Sequence, residues 1–457
     1  MAGQYLSESV LMSFLSISSG VAVAYLLLPT FNSMTGREFS FATGSGHIAL
    51  FLVGLALLIG VAAGSYPSII MSRFEPVVAL NDRIAVGGKG ALGRILIFLQ
   101  FGLSTFLIVG AFVSTRQLEF LQTKPLGIRV EQIVTVKGLG FSKEERGKAG
   151  VYLELLKATP GVVSAAGIGH YLTNQMQAWT TIPTEDGREP KVQNINVGPG
   201  LFETLDMKLL AGRSFSVEKD AMSSNIMVNE EFSRQLNLTV SQELKTGAHS
   251  RQVVGVVKDF HVQSLHHKIE PAILTMASYF NQFIVRIRPD NVAETLASLE
   301  ASWKELSTSR SFSYSFLDDE VDRQYREEER WTRMVRYAAS LAIFIACLGA
   351  FGLTALAAGR RKKELGIRKV LGARTRHIAT LLGRDFLFQV PLAALVAWIG
   401  SYYATEKWLA SFPYRITLTP DLFLLSSLLT VLVVVAAISA HIYRAAHSDP
   451  IVALRRE

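Results

Sequence analysis

Cysteine is almost missing from this sequence: Cys347 is the only one in 457 residues. A lone thiol excludes an intrachain disulfide and a cysteine-rich metal site. The phosphate-loop pattern G-x-x-x-x-G-K-[ST] is also absent, so ATP binding through that motif is not expected of this chain. Neither H-E-x-x-H nor G-x-S-x-G occurs. Gly88-Lys89-Gly90-Ala91-Leu92-Gly93 fits G-x-G-x-x-G. A long apolar run follows it where a dinucleotide fold needs a soluble helix, so these glycines are read as a turn. His261, His266 and His267 follow Asp259 with no second ligand cluster at a recognisable spacing, which favours a hydrogen-bonded or solvated turn over a metal site. The sequence thus offers no catalytic, cofactor-binding or metal-binding residue.

Charge is the next scarcity. Six long stretches carry almost none of it: Val10–Pro29, His47–Ile70, Arg94–Ser114, Met334–Ala358, Ile378–Ala404 and Leu422–Ile442. Each has the roughly 20 residues that cross a bilayer. The mean hydropathy of +0.28 and the 49% hydrophobic content fit a membrane protein. The net charge of +8 is concentrated beside these stretches, where it sets topology rather than binding nucleic acid. Arg73, Arg83, Lys89 and Arg94 lie between the second and third. Arg360, Arg361, Lys362, Lys363, Arg368, Lys369, Arg374 and Arg376 lie between the fourth and fifth. Arg444, Arg455 and Arg456 follow the sixth. With alternating spans all three groups fall on one side, the cytoplasmic one.

Between the third and fourth spans lies a stretch of ordinary soluble character, Thr115–Trp331. Strands are expected at Gln132–Val136, Val162–Ile168, Lys191–Val197, Ser224–Val228, Gln252–Val257 and Phe283–Ile287, where β-branched residues gather. Helices are expected at Lys143–Lys157, Glu230–Leu236 and Val292–Leu306. Thr115–Thr123 and Asp318–Trp331 read as helical stalks running into the flanking spans. The expected fold is an α-helical membrane protein of about six transmembrane helices, with a large α+β periplasmic domain inserted between helices three and four.

The sequence also repeats itself. Glu75-Pro76-Val77-Val78-Ala79-Leu80 matches Asp449-Pro450-Ile451-Val452-Ala453-Leu454 at a shift of 374 residues. The same shift superposes spans one and two on spans five and six. The expected organisation is 1–93 as the tail of a first unit, 94–114 as helix 3, 115–331 as the outer domain with its stalks, and 332–457 as a complete final unit. The front of the first unit is expected to be missing.

One basic segment, 360–377, sits between the fourth and fifth spans. Ile367, Val370, Leu371, Ile378, Leu381 and Leu382 recur at helical spacing, with Arg368, Lys369, Arg374 and Arg376 largely off that stripe. An interfacial helix that only fixes topology is one reading. Gly366 and Gly372, bracketing an apolar and basic core, favour a segment that couples to a soluble partner.

Arg361-Lys362-Lys363-Glu364-Leu365-Gly366-Ile367-Arg368-Lys369-Val370-Leu371-Gly372-Ala373 resembles the signature segment of the FtsX-like/MacB-type permeases of ABC transporters. Asp449–Arg455 is similar to that family's C-terminal tail. Leu201–Leu205, Leu209–Arg213 and Val253–His261 resemble the MacB-like periplasmic core. The resemblance implies a permease subunit of the bacterial inner membrane, with no enzyme activity and no cofactor of its own. ATP and magnesium would sit on a separate cytoplasmic ABC ATPase dimer. Lys363, Glu364, Leu365, Gly366, Ile367, Arg368, Lys369, Val370, Leu371, Gly372 and Ala373 would form the coupling segment. Motion would pass outward by mechanotransmission to extrude a substrate. The implied partners are that ATPase and the bilayer, with a second permease chain or a periplasmic protein as further candidates, and no nucleic acid. The same architecture also fits a non-transport regulator of periplasmic cell-wall hydrolases.

Overall fold

The structure, a computed structural model, describes residues 2–36, 38–40, 45–72, 91–138, 143–169, 172, 178–182, 189–220, 223–246, 249–261, 265–277, 279–306, 310–360, 367–368 and 375–447. Both copies of the repeated hexapeptide and residues 88–90 of the glycine motif lie outside them. In chain order, three long helices come first: α1 (Ala2–Thr35), α2 (Ser45–Ser72) and α3 (Ala91–Thr123). Then follow β1 (Ile133–Lys137), α4 (Lys143–Ala158), β2 (Val162–Ile168), β3 (Ala178–Thr181), β4 (Lys191–Val197), α5 (Leu201–Thr204), β5 (Leu209–Gly212), α6 (Val217–Asp220) and β6 (Ile226–Asn229). Next are α7 (Glu230–Leu236), β7 (Glu243–Thr246), β8 (His249–Val257), β9 (Ala272–Met276), β10 (Gln282–Ile287), α8 (Val292–Leu306), β11 (Tyr314–Phe316) and α9 (Leu317–Gln324). Three more long helices close the described order: α10 (Arg326–Arg360), α11 (Thr375–Leu409) and α12 (Pro420–His447).

Two compact units divide these elements. One joins Met1–Ala111, Arg330–Ser401 and Pro420–Glu457, and the other joins Phe112–Glu329 with Tyr402–Thr419. The first is helical. Five helices among the described residues are long and apolar enough to cross a membrane, at Gly3–Met34, Gly46–Ser65, Ile95–Thr123, Arg326–Gly352 and Pro420–Ala437. A helix satisfies its own backbone, so such segments can leave water without orphaned polar groups. The sixth expected stretch, Ile378–Ala404, falls within α11, most of whose side chains before Phe388 lie outside those described. Within this unit α3 is central. Ile97 and Phe101 bury against Ala346 and Ala350 of α10, Val390 and Ala393 of α11, and Val434 of α12. The Thr105 and Thr430 hydroxyls meet at 3.3 Å. The α1–α2 pair is closed by the Ser13 hydroxyl donating to the Ala56 carbonyl at 2.8 Å.

The second unit is built on a mixed sheet ordered β11-β1-β10-β2-β4-β9-β6-β8-β5, with β3 on β4 and β7 on β8. β4 pairs β9 and β6 pairs β8 in parallel; the other pairs are antiparallel. β2 and β4 meet at the single pair Ile168–Val197. Alternation along the strands sends residues to two faces. On one face of β1, β2 and β10, Val134, Val136, Ala165, Phe283 and Val285 pack under Tyr152 of α4 and Trp303 of α8. The opposite face contributes Ile133, Ala166, Ile168 and Ile284 to a core shared with Val197, Met227 and Leu274. Helix α7 covers a third cluster around Val228, Phe232 and Ile273.

All six expected strands and all three expected helices are present, with ends shifted by a few residues. Five strands, β3, β5, β7, β9 and β11, were not expected. The expected stalk Asp318–Trp331 is not one helix: α9 ends at Tyr325, whose φ of −99° and ψ of 4° leave the helical well, and α10 begins at Arg326. Its ring is buried there, which explains the interruption.

Arg213, just after β5, forks both guanidinium nitrogens onto Asp220, at 2.6 Å and 2.9 Å. The Ser216 N–H and the Asn225 amide also donate to that carboxylate, at 2.8 Å and 2.7 Å. Arg213 first, then these donors, hold the buried Asp220 carboxyl far below the usual carboxylate range, against the opposing effect of burial. A lowered folded pKa contributes stability that is present above about pH 4 and lost as pH falls toward the folded value. Asp220→Asn should lower the unfolding free energy of the detergent-solubilised chain by about 2–3 kcal/mol. It should also flatten the acid limb below about pH 4 in denaturant titrations.

Candidate functional site

The most connected polar and aromatic constellation lies at the base of the mixed unit. Four segments meet there: the C-terminal end of α3, residues 259–261 and 265–270 after β8, the turn between α9 and α10, and Tyr402–Thr419. Leu121, Leu265, Tyr325 and Phe412 form its buried centre, with Leu118, Leu126, Trp408 and Tyr414 packed around them.

Each member is fixed by chemistry local to it. Gln117 is buried on α3, and its amide acts as a piece of backbone. Its Nε2 donates to the Tyr414 carbonyl at 2.8 Å, while its Oε1 accepts from the Ile416 N–H at 3.0 Å. A buried amide with both ends paired holds the loop in one register. The Tyr414 ring lies under the Lys124 ammonium, 3.4 Å from its centroid, and edge-on to His261 at 5.2 Å. Its hydroxyl accepts from the Ile269 N–H at 3.4 Å. The Tyr325 hydroxyl accepts from the Leu265 N–H at 3.1 Å, so the break between α9 and α10 buries a ring with its polar end satisfied. Gln122 of α3 donates to Glu329 at 3.0 Å. His266 Nε2 stands 2.5 Å from Glu328 Oε1, and its ring rests on Phe412 at 4.8 Å.

Beneath these contacts Asn229, the N-cap of α7, uses all of its hydrogen-bonding capacity. Its Oδ1 accepts from the Phe232 and Ala272 N–H groups, at 3.1 Å and 2.8 Å. Its Nδ2 donates to Asp259 Oδ1 at 3.0 Å and to the Glu270 carbonyl at 2.9 Å. Asp259 also accepts the Glu231 N–H at 3.0 Å, and burial raises its pKa. Gly127 lets the chain leaving α3 cross this segment: at φ +77° a Cβ there would lie 2.5 Å from the Asp259 carbonyl. A cavity of about 30 Å³ beside Asn229, His261 and His267 has room for a water or two, not for a substrate. The three histidines read from the sequence as a turn are therefore divided between an aromatic stack, a close contact with Glu328 and a cavity wall.

The segment expected to couple to a partner lies largely outside the described residues. Ile367 and Arg368 are helical and exposed. Lys363, Glu364, Leu365, Gly366, Lys369, Val370, Leu371, Gly372 and Ala373 lie outside the described residues. The expected core motifs have structural roles. Leu201, Phe202 and Leu205 enter the shared core, Leu209–Gly212 is β5, and Val253–His261 runs from β8 into the junction. Gln117, Lys124, Tyr325, Phe412 and Tyr414 escaped the sequence reading. Trp408, Phe412 and Tyr414, gathered in a short loop between two apolar spans, were the available signal.

Long apolar helices in one unit and a mixed sheet in the other define a multi-pass membrane protein with a large sheet-rich domain. Residues 337–450 match the family described as FtsX-like permease C-terminal. Over 291 residues the chain is 24% identical to the macrolide export ATP-binding/permease protein MacB of Chromobacterium violaceum, an alignment covering 58% of this chain and 43% of that protein. The chain thus spans less than half the length of this relative. Among solved structures, the periplasmic region of MacB from Actinobacillus actinomycetemcomitans matches at a TM-score of 0.33 and 15% identity, over 45% of this chain and 97% of that one. A domain of a putative permease from Porphyromonas gingivalis matches at 0.31 and 18%, over 42% and 92%. Residues 337–450 thus match an FtsX-like permease domain, part of the chain is similar to MacB, and the five long apolar helices among the described residues mark a multi-pass membrane protein.

Two outcomes are expected at the junction. Gln117→Leu leaves the Tyr414 carbonyl and the Ile416 N–H without partners and should cost about 2–3 kcal/mol in chemical unfolding of the full chain. Burial, then the Lys124 charge, lowers the His261 pKa to about 4. A histidine kept neutral by the fold contributes stability that is present above about pH 6.5 and lost as pH falls toward the folded value. Between about pH 7 and 4.5 the wild type should lose about 2–3 kcal/mol more than His261→Phe, measured by thermal or denaturant unfolding.

Proposed function

We propose that this chain is the permease subunit of an ABC transporter and that it passes motion from a cytoplasmic ATPase dimer to its periplasmic-type domain. Three lines support the reading. The C-terminal part matches the FtsX-like permease model. The relative MacB is described as an ATP-binding/permease protein, and the part of it that this sequence resembles carries no phosphate-loop pattern here, which is in keeping with ATP being handled outside these residues. The third carries the mechanism: the ends of α3, α10 and α11, together with the loop before α12, finish in one packed junction within the domain. A pull on any of these helices is delivered to the same buried cluster.

In this mechanism α11 is the sixth transmembrane helix, and the α+β domain is inserted between the third and fourth. Lys363, Glu364, Leu365, Gly366, Ile367, Arg368, Lys369, Val370, Leu371, Gly372 and Ala373 receive the ATPase. The ATPase closes on ATP, the segment moves, and α10 and α11 carry the displacement outward. The domain then does work on a substrate outside the bilayer. ATP and magnesium act on the partner, and the residues of this chain bind, transmit and reshape.

The test is purification of the full chain from membranes of its own host. A phosphate-loop ATPase should co-purify. Charge reversal at two positions, Arg368→Glu with Lys369→Glu, should leave insertion intact and abolish export while ATP hydrolysis continues. Undiminished export in that double variant would sink the proposal.

A further inference from the structure

Two polar side chains of α3, Gln100 and Ser104, sit one turn apart on the same face of the helix. Both reach the neighbouring helix. The Gln100 Nε2 donates to the Ile345 carbonyl of α10 at 2.5 Å. The Ser104 hydroxyl lies 3.1 Å from the Ala342 carbonyl, about one turn further along α10, and 2.9 Å from the Gln100 carbonyl of its own helix. α3 and α10 are antiparallel neighbours, so the two contacts read successive turns of one carbonyl ladder.

Space for the amide exists because residue 349 is glycine. A Cβ there would stand 2.4 Å from Gln100 Oε1 and 3.0 Å from its Nε2. Around this point α10 presents Ala346 and Ala350, which pack on Ile97 and Phe101. Small residues let two backbones approach, but they set no register by themselves, because alanine facing alanine one turn away packs as well. A hydrogen bond in hydrocarbon sets one, since an amide left without a partner there costs several kilocalories per mole.

We propose that Gln100, seated at Gly349 and seconded by Ser104, is a register latch that fixes α3 and α10 against lengthwise sliding. This rests on the permease reading above: two latched helices deliver one displacement to the domain, and two unlatched helices dissipate it by slipping. Gln100 is a positioning residue. It acts on the axial alignment of α3 and α10, and through that alignment on the junction.

The register can be measured without any ATPase. Spin labels at Ile95→Cys and Phe344→Cys, in a Cys347→Ala background of the full chain in lipid nanodiscs, report the axial offset as a distance distribution. Both sites are exposed. The wild type should give one narrow population. Gln100→Ala should add a second, displaced by about 5 Å, one helical turn. Gly349→Ala, whose methyl evicts the amide, should do the same, and should add nothing in the Gln100→Ala background. Gln100→Glu separates a latch from mere bulk: a protonated carboxyl can donate to Ile345 and a carboxylate cannot. That variant should hold one population near pH 5 and show two near pH 9. A single narrow population in both Gln100→Ala and Gly349→Ala would overturn the latch, as would a Gln100→Glu variant that shows two populations even near pH 5. The permease reading fails on a different observation, the absence of any ATP-dependent distance change in the wild type with its host ATPase present, and that outcome leaves the register measurement standing.

Discussion

Hydrocarbon cannot hydrogen-bond, and every polar group carried into it must find a partner within the protein. That constraint organises the helical unit around α3. Gln100 and Ser104 take carbonyls of α10, and Thr105 meets Thr430 of α12. Phe101 and Ile97 fill the space between them and α11. Apolar contact alone discriminates poorly among helix arrangements in lipid, because a lipid tail packs against a leucine nearly as well as a helix does. Polar groups on α3 are therefore the specific part of the packing, and leucines facing outward on α12 and α1 supply solubility in the bilayer.

A second kind of organisation holds at the domain base. There water is available but excluded, and the contacts are aromatic edges, paired amides and a neutral histidine. Gln117 and Tyr414 are 297 residues apart in sequence, yet the geometry between them is as closed as that of neighbouring strands. α3 is one unbroken helix that carries both sets of contacts, with Gln100 and Ser104 on one stretch and Gln117 and Gln122 on the next. α10 is different. It starts afresh after Tyr325, so its connection to the domain runs through a buried ring and not through continuous helical hydrogen bonds.

How much of this could be read from the sequence depends on what each element is held by. Val162–Ile168, Lys191–Val197 and Glu230–Leu236 were legible because their own residues carry the signal, either β-branched runs or a cap and a periodic face. β9 (Ala272–Met276) is buried over its first three residues, but only Ile273 and Thr275 in it are β-branched, so its own composition marked it weakly. β3, β5 and β7 are four residues each, and they exist because a neighbouring strand offers a ladder. The break at Tyr325 was hidden by a charged run whose local propensity is helical throughout. The segment 360–377 stood out as a pattern of charge and glycine. The junction did not, because its parts come from four distant places and only the aromatic content of one loop hinted at them.

Tyr402–Thr419 belongs to the domain but is made last. During synthesis the sheet, its helices and the ends of α3 and α10 are complete while the final two long helices are still unmade. Leu121, Leu265 and Tyr325 are then without Phe412 and Tyr414, and the Gln117 amide is without its loop. A domain made in this order lacks the residues that cover this cluster until Phe412 and Tyr414 arrive. Order of manufacture is written into the fold: a chain whose Phe412 and Tyr414 fail to dock leaves Leu121, Leu265 and Tyr325 uncovered, an apolar patch of the kind that chaperones and proteases recognise.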